Sequence, residues 1–150
     1  MALLAILLGY GIVIFYYGQL PDELPRHYGS KGLPTAYASK AILFGLPIIA
    51  TALYVAMGWA GNTFSDTRSN WSKLPEDPLK RKEALKLNRQ LLAVMRTVIG
   101  WVFTYIIFGT IQVGRGTWEG LGEGFASAFL FLIFGLLAFH IWRLKRLEKQ

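Results

Sequence analysis

LPDELPRHYGSKGLPTAYASK, residues 20–40, is a polar stretch punctuated by Pro and Gly between two uncharged apolar runs, 2–17 and 41–60. Two further apolar runs follow, 91–113 with one basic residue, Arg96, and 121–142 with Glu123 near its start. A helix needs roughly 20 apolar residues to cross the ~30 Å hydrocarbon core of a bilayer. Unsatisfied backbone groups in lipid cost several kcal/mol, so the four runs are read as helices. The expected fold is an all-α integral membrane protein, one polytopic domain over 1–150. Its four transmembrane helices form a bundle, with a structured extracytoplasmic loop at 18–40 and a cytoplasmic loop at 61–90.

Composition points the same way. Of 150 residues, 53% are apolar and only 17% charged, against about a quarter charged in soluble domains. The mean hydropathy is +0.37. There are no cysteines, which excludes disulfides, thiolate nucleophiles and Cys-based metal sites. The net charge of +7 raises the question of nucleic acid. The basic residues, however, flank apolar runs and no nucleic-acid motif accompanies them, so the expected partner of this charge is membrane lipid.

Lys and Arg favour the cytoplasmic side. Arg68, Lys73, Lys80, Arg81, Lys82, Lys86 and Arg89 lie in the loop at 61–90, and Arg143, Lys145, Arg146 and Lys149 in the tail. Arg26, Lys31, Lys40 and Arg115 fall on the other side, giving eleven against four. The expected location is the inner (plasma) membrane with both termini cytoplasmic, which leaves the Asn70-Trp71-Ser72 sequon on the cytoplasmic side. The first run has no basic residues before it and no small-x-small site after it, so it reads as an uncleaved helix. Asp77-Pro78 is a helix start, Asp as N-cap and Pro at the first position, predicting one helix from Pro78 through the third run. Lys80, Arg81, Lys82, Lys86, Arg89, Arg143, Lys145 and Arg146 are expected at lipid headgroups. Pro47 is expected to kink the second helix, and Gly120 and Gly124 read as a small-residue helix contact. Trp101, inside the third run, is expected to pack between helices.

The loop residues Leu20, Pro21, Pro25, His27, Tyr28, Gly32, Pro34 and Lys40 form the candidate recognition motif. The three Leu-Pro steps stiffen the loop. Histidine is the side-chain type suited to sensing protons or binding a ligand, and His27 is the one histidine of this loop. The reading given most weight is that it hydrogen-bonds the loop into shape, bridging to Glu119 or Glu123, and ligand or proton sensing is the sharper alternative. Lys40 either snorkels to headgroups or pairs with Asp22 or Glu23. Arg96 and His140 stand toward the cytoplasmic ends of their helices, where snorkelling accommodates Arg96. No nucleophile–base pair, phosphate loop or three-ligand metal set is visible, so no catalytic, cofactor or metal residue is assigned and the chain is not read as an enzyme.

The same residues carry a resemblance. Leu20-Pro21, then Pro25, His27 and Tyr28, then Gly32 and Pro34, then Ser39-Lys40 resemble the motif of the domain of unknown function DUF1648, over roughly residues 5–60. That family has Asp after the Pro of the turn, where this chain has Thr35. The domain forms the N-terminal part of SdpI-type toxin-immunity proteins. The resemblance implies a prokaryotic membrane protein but no known reaction, and it does not extend over the second half of the chain. The expected role is a binding, sensing or immunity-like accessory protein that recognises a peptide or another membrane protein through residues 20–40. The alternative is a structural subunit packed within a larger membrane complex.

Overall fold

The computed structural model describes residues 1–63 and 77–148. Arg68, Lys73 and the Asn70-Trp71-Ser72 sequon lie outside the described residues. The elements in chain order are α1 (Ala2–Tyr16), β1 (Glu23–Tyr28), β2 (Pro34–Ser39), α2 (Gly45–Thr63), α3 (Pro78–Gly114) and α4 (Phe125–Glu148), with short 3-10 turns at Tyr17–Gln19 and Lys40–Phe44. Four helices are long and apolar enough to cross a membrane.

The packing of α1 is inverted relative to a soluble helix. Its buried residues are Ala2, Ala5, Ile6, Gly9 and Val13, a mostly small-residue stripe at helical spacing. Leu3, Leu4, Leu7 and Phe15 point outward, each more than half exposed. Small residues inside and large apolar residues outside suit lipid, where helices gain from close packing rather than from escaping water. The stripe meets α3 in parallel. Gly100 lies against Ala2 and Ala5, and Gly9 against Ile107. The buried Thr104 hydroxyl donates both to its own turn at Gly100 O, 3.0 Å, and across the interface to Ala5 O, 2.8 Å.

Helix α3 begins where the sequence predicts. The Asp77 carboxylate accepts from Leu79 N–H at 2.8 Å, with Pro78 in the first turn. From there the helix runs 37 residues, about 55 Å at 1.5 Å per residue, well beyond a bilayer core. It is the common partner of the other helices: α1 and α2 pack on it and on each other, whereas α4 meets only α3 to any extent among the described residues. The four-helix bundle expected from the sequence takes the form of a three-helix core with α4 laid along α3. Tyr105 stacks on Phe125 at 4.8 Å and His140 Nε2 hydrogen-bonds Asn88 Oδ1 at 2.9 Å, which fixes the antiparallel register of this pair.

Several finer expectations are corrected. Pro47 does not kink a mid-helix position. It sits buried in the first turn of α2, just after the 3-10 turn, where a helix tolerates a missing N–H. Helix α4 starts at Phe125, later than the apolar run at 121 suggests, because Gly122 and Gly124 hold positive φ of 97° and 81°. Gly120 and Gly124 thus lie before the helix and make no helix–helix contact motif. Trp101 is 42% exposed and faces outward rather than between helices. The loop at 18–40 contains a two-stranded antiparallel sheet, so the fold is not purely helical.

Candidate functional site: a hairpin cap on the end of the third helix

The strands of the hairpin pair Glu23 with Ser39, Leu24 with Ala38 and Pro25 with Tyr37. The register slips at Arg26 and is restored at Thr35, so that Tyr28 faces Pro34. Each strand has one open edge, which is what allows prolines inside them. The turn closes with Gly32 N–H on Gly29 O and Gly29 N–H on Leu33 O, both 2.9 Å. Lys40 closes the base: its N–H donates to Asp22 O at 2.8 Å, and its ammonium lies 3.1 Å from the Asp22 carboxylate and 3.3 Å from Leu20 O. The alternative of pairing with Asp22 therefore describes Lys40, in place of snorkelling. The same ammonium also stands over the Tyr17 ring.

The hairpin is fastened to the end of α3 and to residues 115–124 after it. Leu20 and Leu24 enter the core cluster with Val13, Leu43, Ile107 and Ile111. Leu24 fits against Gly114, where a Cβ would collide with it. The Tyr28 hydroxyl donates to the buried Thr110 hydroxyl at 2.9 Å. Burial raises the Tyr28 pKa above its ordinary value, partly opposed by that hydrogen bond, so the phenol stays a neutral donor. At the tip, Gly32 has φ +74° and its carbonyl accepts from Leu121 N–H at 2.9 Å. A Cβ on Gly32 would strike Gly122 backbone, and one on Gly120 would strike Gly32 backbone. Leu121 is itself buried, and its carbonyl accepts from the Tyr105 hydroxyl at 2.8 Å. Two backbones meet here at a distance only glycine permits. The glycine spacing that reads as a helix contact serves a hairpin contact instead.

The candidate motif residues thus divide. Leu20, Pro25 and Gly32 are buried, Tyr28, Pro34 and Lys40 half-buried, and Pro21 and His27 exposed. His27 does not bridge to Glu119 or Glu123. Its Nδ1 lies 2.8 Å from the Thr35 hydroxyl, which is also placed to donate to His27 O at 3.3 Å. The partner of the histidine is thus a neutral hydroxyl. Glu119 and Glu123 instead border a shallow groove with Lys31, Leu33 and Trp118 at the hairpin tip. The exposed apolar residues of the cap fall outside the candidate motif: Leu33 at 46%, Tyr37 at 57% and Trp118 at 37%. The alternation of outward Thr35, Tyr37 and Ser39 with half-buried Ala36 and Ala38 was the available signal.

Two basic groups lie away from the cap. Arg96 lies at the midpoint of α3. Its guanidinium stands 5.2 Å over the Tyr54 ring and packs against Gly58 of α2. The headgroup candidates Lys80, Arg81, Lys82, Lys86 and Arg89 occupy the first turns of α3, and Arg143, Lys145 and Arg146 the last turns of α4. Among the described residues, no three or more His, Asp or Glu side chains gather as a metal site would need.

No curated protein and no solved structure matches the chain. A family model matches residues 3–51, that of a domain of unknown function, DUF1648. The match takes in α1, the whole hairpin and the start of α2, and leaves α3 and α4 outside. Residues 3–51 of this multi-pass membrane protein are therefore similar to the domain of unknown function DUF1648.

Proposed function

We propose that the hairpin cap is an extracytoplasmic recognition surface of a small, non-enzymatic inner-membrane protein with both termini in the cytoplasm. The role is binding, sensing or immunity-like, and the partner is a peptide or another membrane protein. The observation that carries this reading is the division of the hairpin into a fastened face and a free one. Leu24, Tyr28 and Gly32 hold it to α3 and the following connection. Leu33 and Tyr37 of the hairpin remain exposed, as do His27 and, after α3, Trp118. Exposed aromatic side chains on a rigid support suit a binding surface, because little ordering entropy is lost on association. The excess of Lys and Arg at the opposite end supports placing the cap outside.

The second reading, a structural subunit of a larger membrane complex, is favoured by α4. None of its most apolar window is buried, and Phe131 and Phe134 are 83% and 64% exposed. A photo-crosslinking residue placed at Tyr37 or at Phe131 in native membranes separates the two. A discrete adduct from Tyr37 but not from Phe131 is expected. An adduct from Phe131 alone would overturn the cap reading in favour of the subunit.

A further inference from the structure

At the end of the molecule away from the cap, α3 and α4 leave an open groove between them. Among the described residues its rim carries Lys86, Arg143 and Arg146, with Glu83 as the one carboxylate. Deeper toward the membrane centre the same groove becomes apolar, walled by Leu91 and Val94 of α3 and by Leu136 and Phe139 of α4. The two zones share Leu87, Gln90 and Arg143, so they are continuous. Both arginines are steadied by aromatic rings of their own helix: Arg143 lies 6.0 Å over Phe139 and Arg146 5.5 Å over Trp142. The His140–Asn88 hydrogen bond ties the helices together beside the groove.

We propose that this groove binds one anionic phospholipid from the leaflet opposite the cap. The phosphate sits among Lys86, Arg143 and Arg146, and an acyl chain lies down the apolar walls. The inference rests on the helices spanning a bilayer. What singles out a lipid is the order of the chemistry along the helix axis. Cations come first, at headgroup level, and the apolar walls run inward from them over about 10–12 Å of helix. A soluble anion has no use for the walls, and a neutral lipid has no use for two net positive charges at the rim. Basic pockets between membrane helices are suited to anionic headgroups.

The test is native mass spectrometry of the full chain in mild detergent, titrated with phosphatidylglycerol or with phosphatidylcholine of the same chains. One phosphatidylglycerol should be retained in preference to phosphatidylcholine. Arg143→Gln with Arg146→Gln should weaken it by about fivefold per cation removed. Lys80→Gln with Lys82→Gln, an equal loss of charge outside the groove, should leave it in place. Ala93→Trp, which fills the apolar wall from an exposed position without changing charge, should also displace the lipid. Circular dichroism checks that each variant is folded; helicity lost from the unaltered chain would strike at the spanning reading rather than at the groove. Equal retention of the two lipids, equal losses in the two double variants, or retention in Ala93→Trp would overturn the proposal. So would binding of soluble glycerol phosphate as tightly as the lipid, since the groove would then hold a free phosphate.

Discussion

The two ends of α3 are built on opposite plans. At the cap end, Leu20 and Leu24 sit in the core and Tyr28 is hydrogen-bonded to Thr110. Gly32 there meets Gly120 and Gly122 backbone to backbone. At the far end, among the described residues, His140 hydrogen-bonds Asn88 between α4 and α3, and the space between the helices is open and basic. The difference separates what a family motif does from what it displays. Leu20, Tyr28 and Gly32, part of the candidate recognition motif, make the contacts that hold the hairpin in place. The free surface falls to residues such as Leu33 and Tyr37, which no motif marks.

Substitutions at the cap should therefore cost the most. Gly32→Val combines a left-handed backbone with a collision against Gly122, and should destabilise the protein by about 4 kcal/mol, read as a large fall in the thermal midpoint in detergent. Leu24→Ala should cost about 3 kcal/mol through the cavity it leaves at Gly114. At the open end, His140→Leu removes one hydrogen bond between helices and should cost only about 1 kcal/mol; a loss as large as that of Leu24→Ala would erase the contrast. Smallest of all, Thr35→Val breaks an exposed bond to His27 and should cost about 0.5 kcal/mol. If Thr35→Val instead unfolds the hairpin, seen as Gly29 amide exchange, whose N–H is bonded to Leu33 O, at the rate of an open strand, the fastening lies in the His27–Thr35 bond and not in the buried contacts.

The helices were legible because an apolar run of membrane length leaves the backbone few alternatives, and because Asp77-Pro78 caps and starts α3 by local chemistry alone. The hairpin was hidden by Pro25 and Pro34, which argue against a strand until each strand has an edge free of partners. The role of Gly120 depended on residues 115–124 folding back, with Thr117 N–H on Gln112 O at 2.9 Å, a contact no local pattern encodes. The surroundings of Arg96 were hidden for a related reason: Tyr54 and Gly58 come from another helix and supply a ring and a gap for the guanidinium.

Because the chain has no cysteine, single-cysteine labelling tests the central claim, a fastened cap outside the membrane with one free face. In intact cells treated with a membrane-impermeant maleimide, Tyr37→Cys should label rapidly and Thr110→Cys, beneath Tyr28, should stay protected until the protein is denatured. Labelling of both positions at the same rate would show a hairpin not held on α3, and labelling of Tyr37→Cys only after the cells are opened would place the cap on the cytoplasmic side.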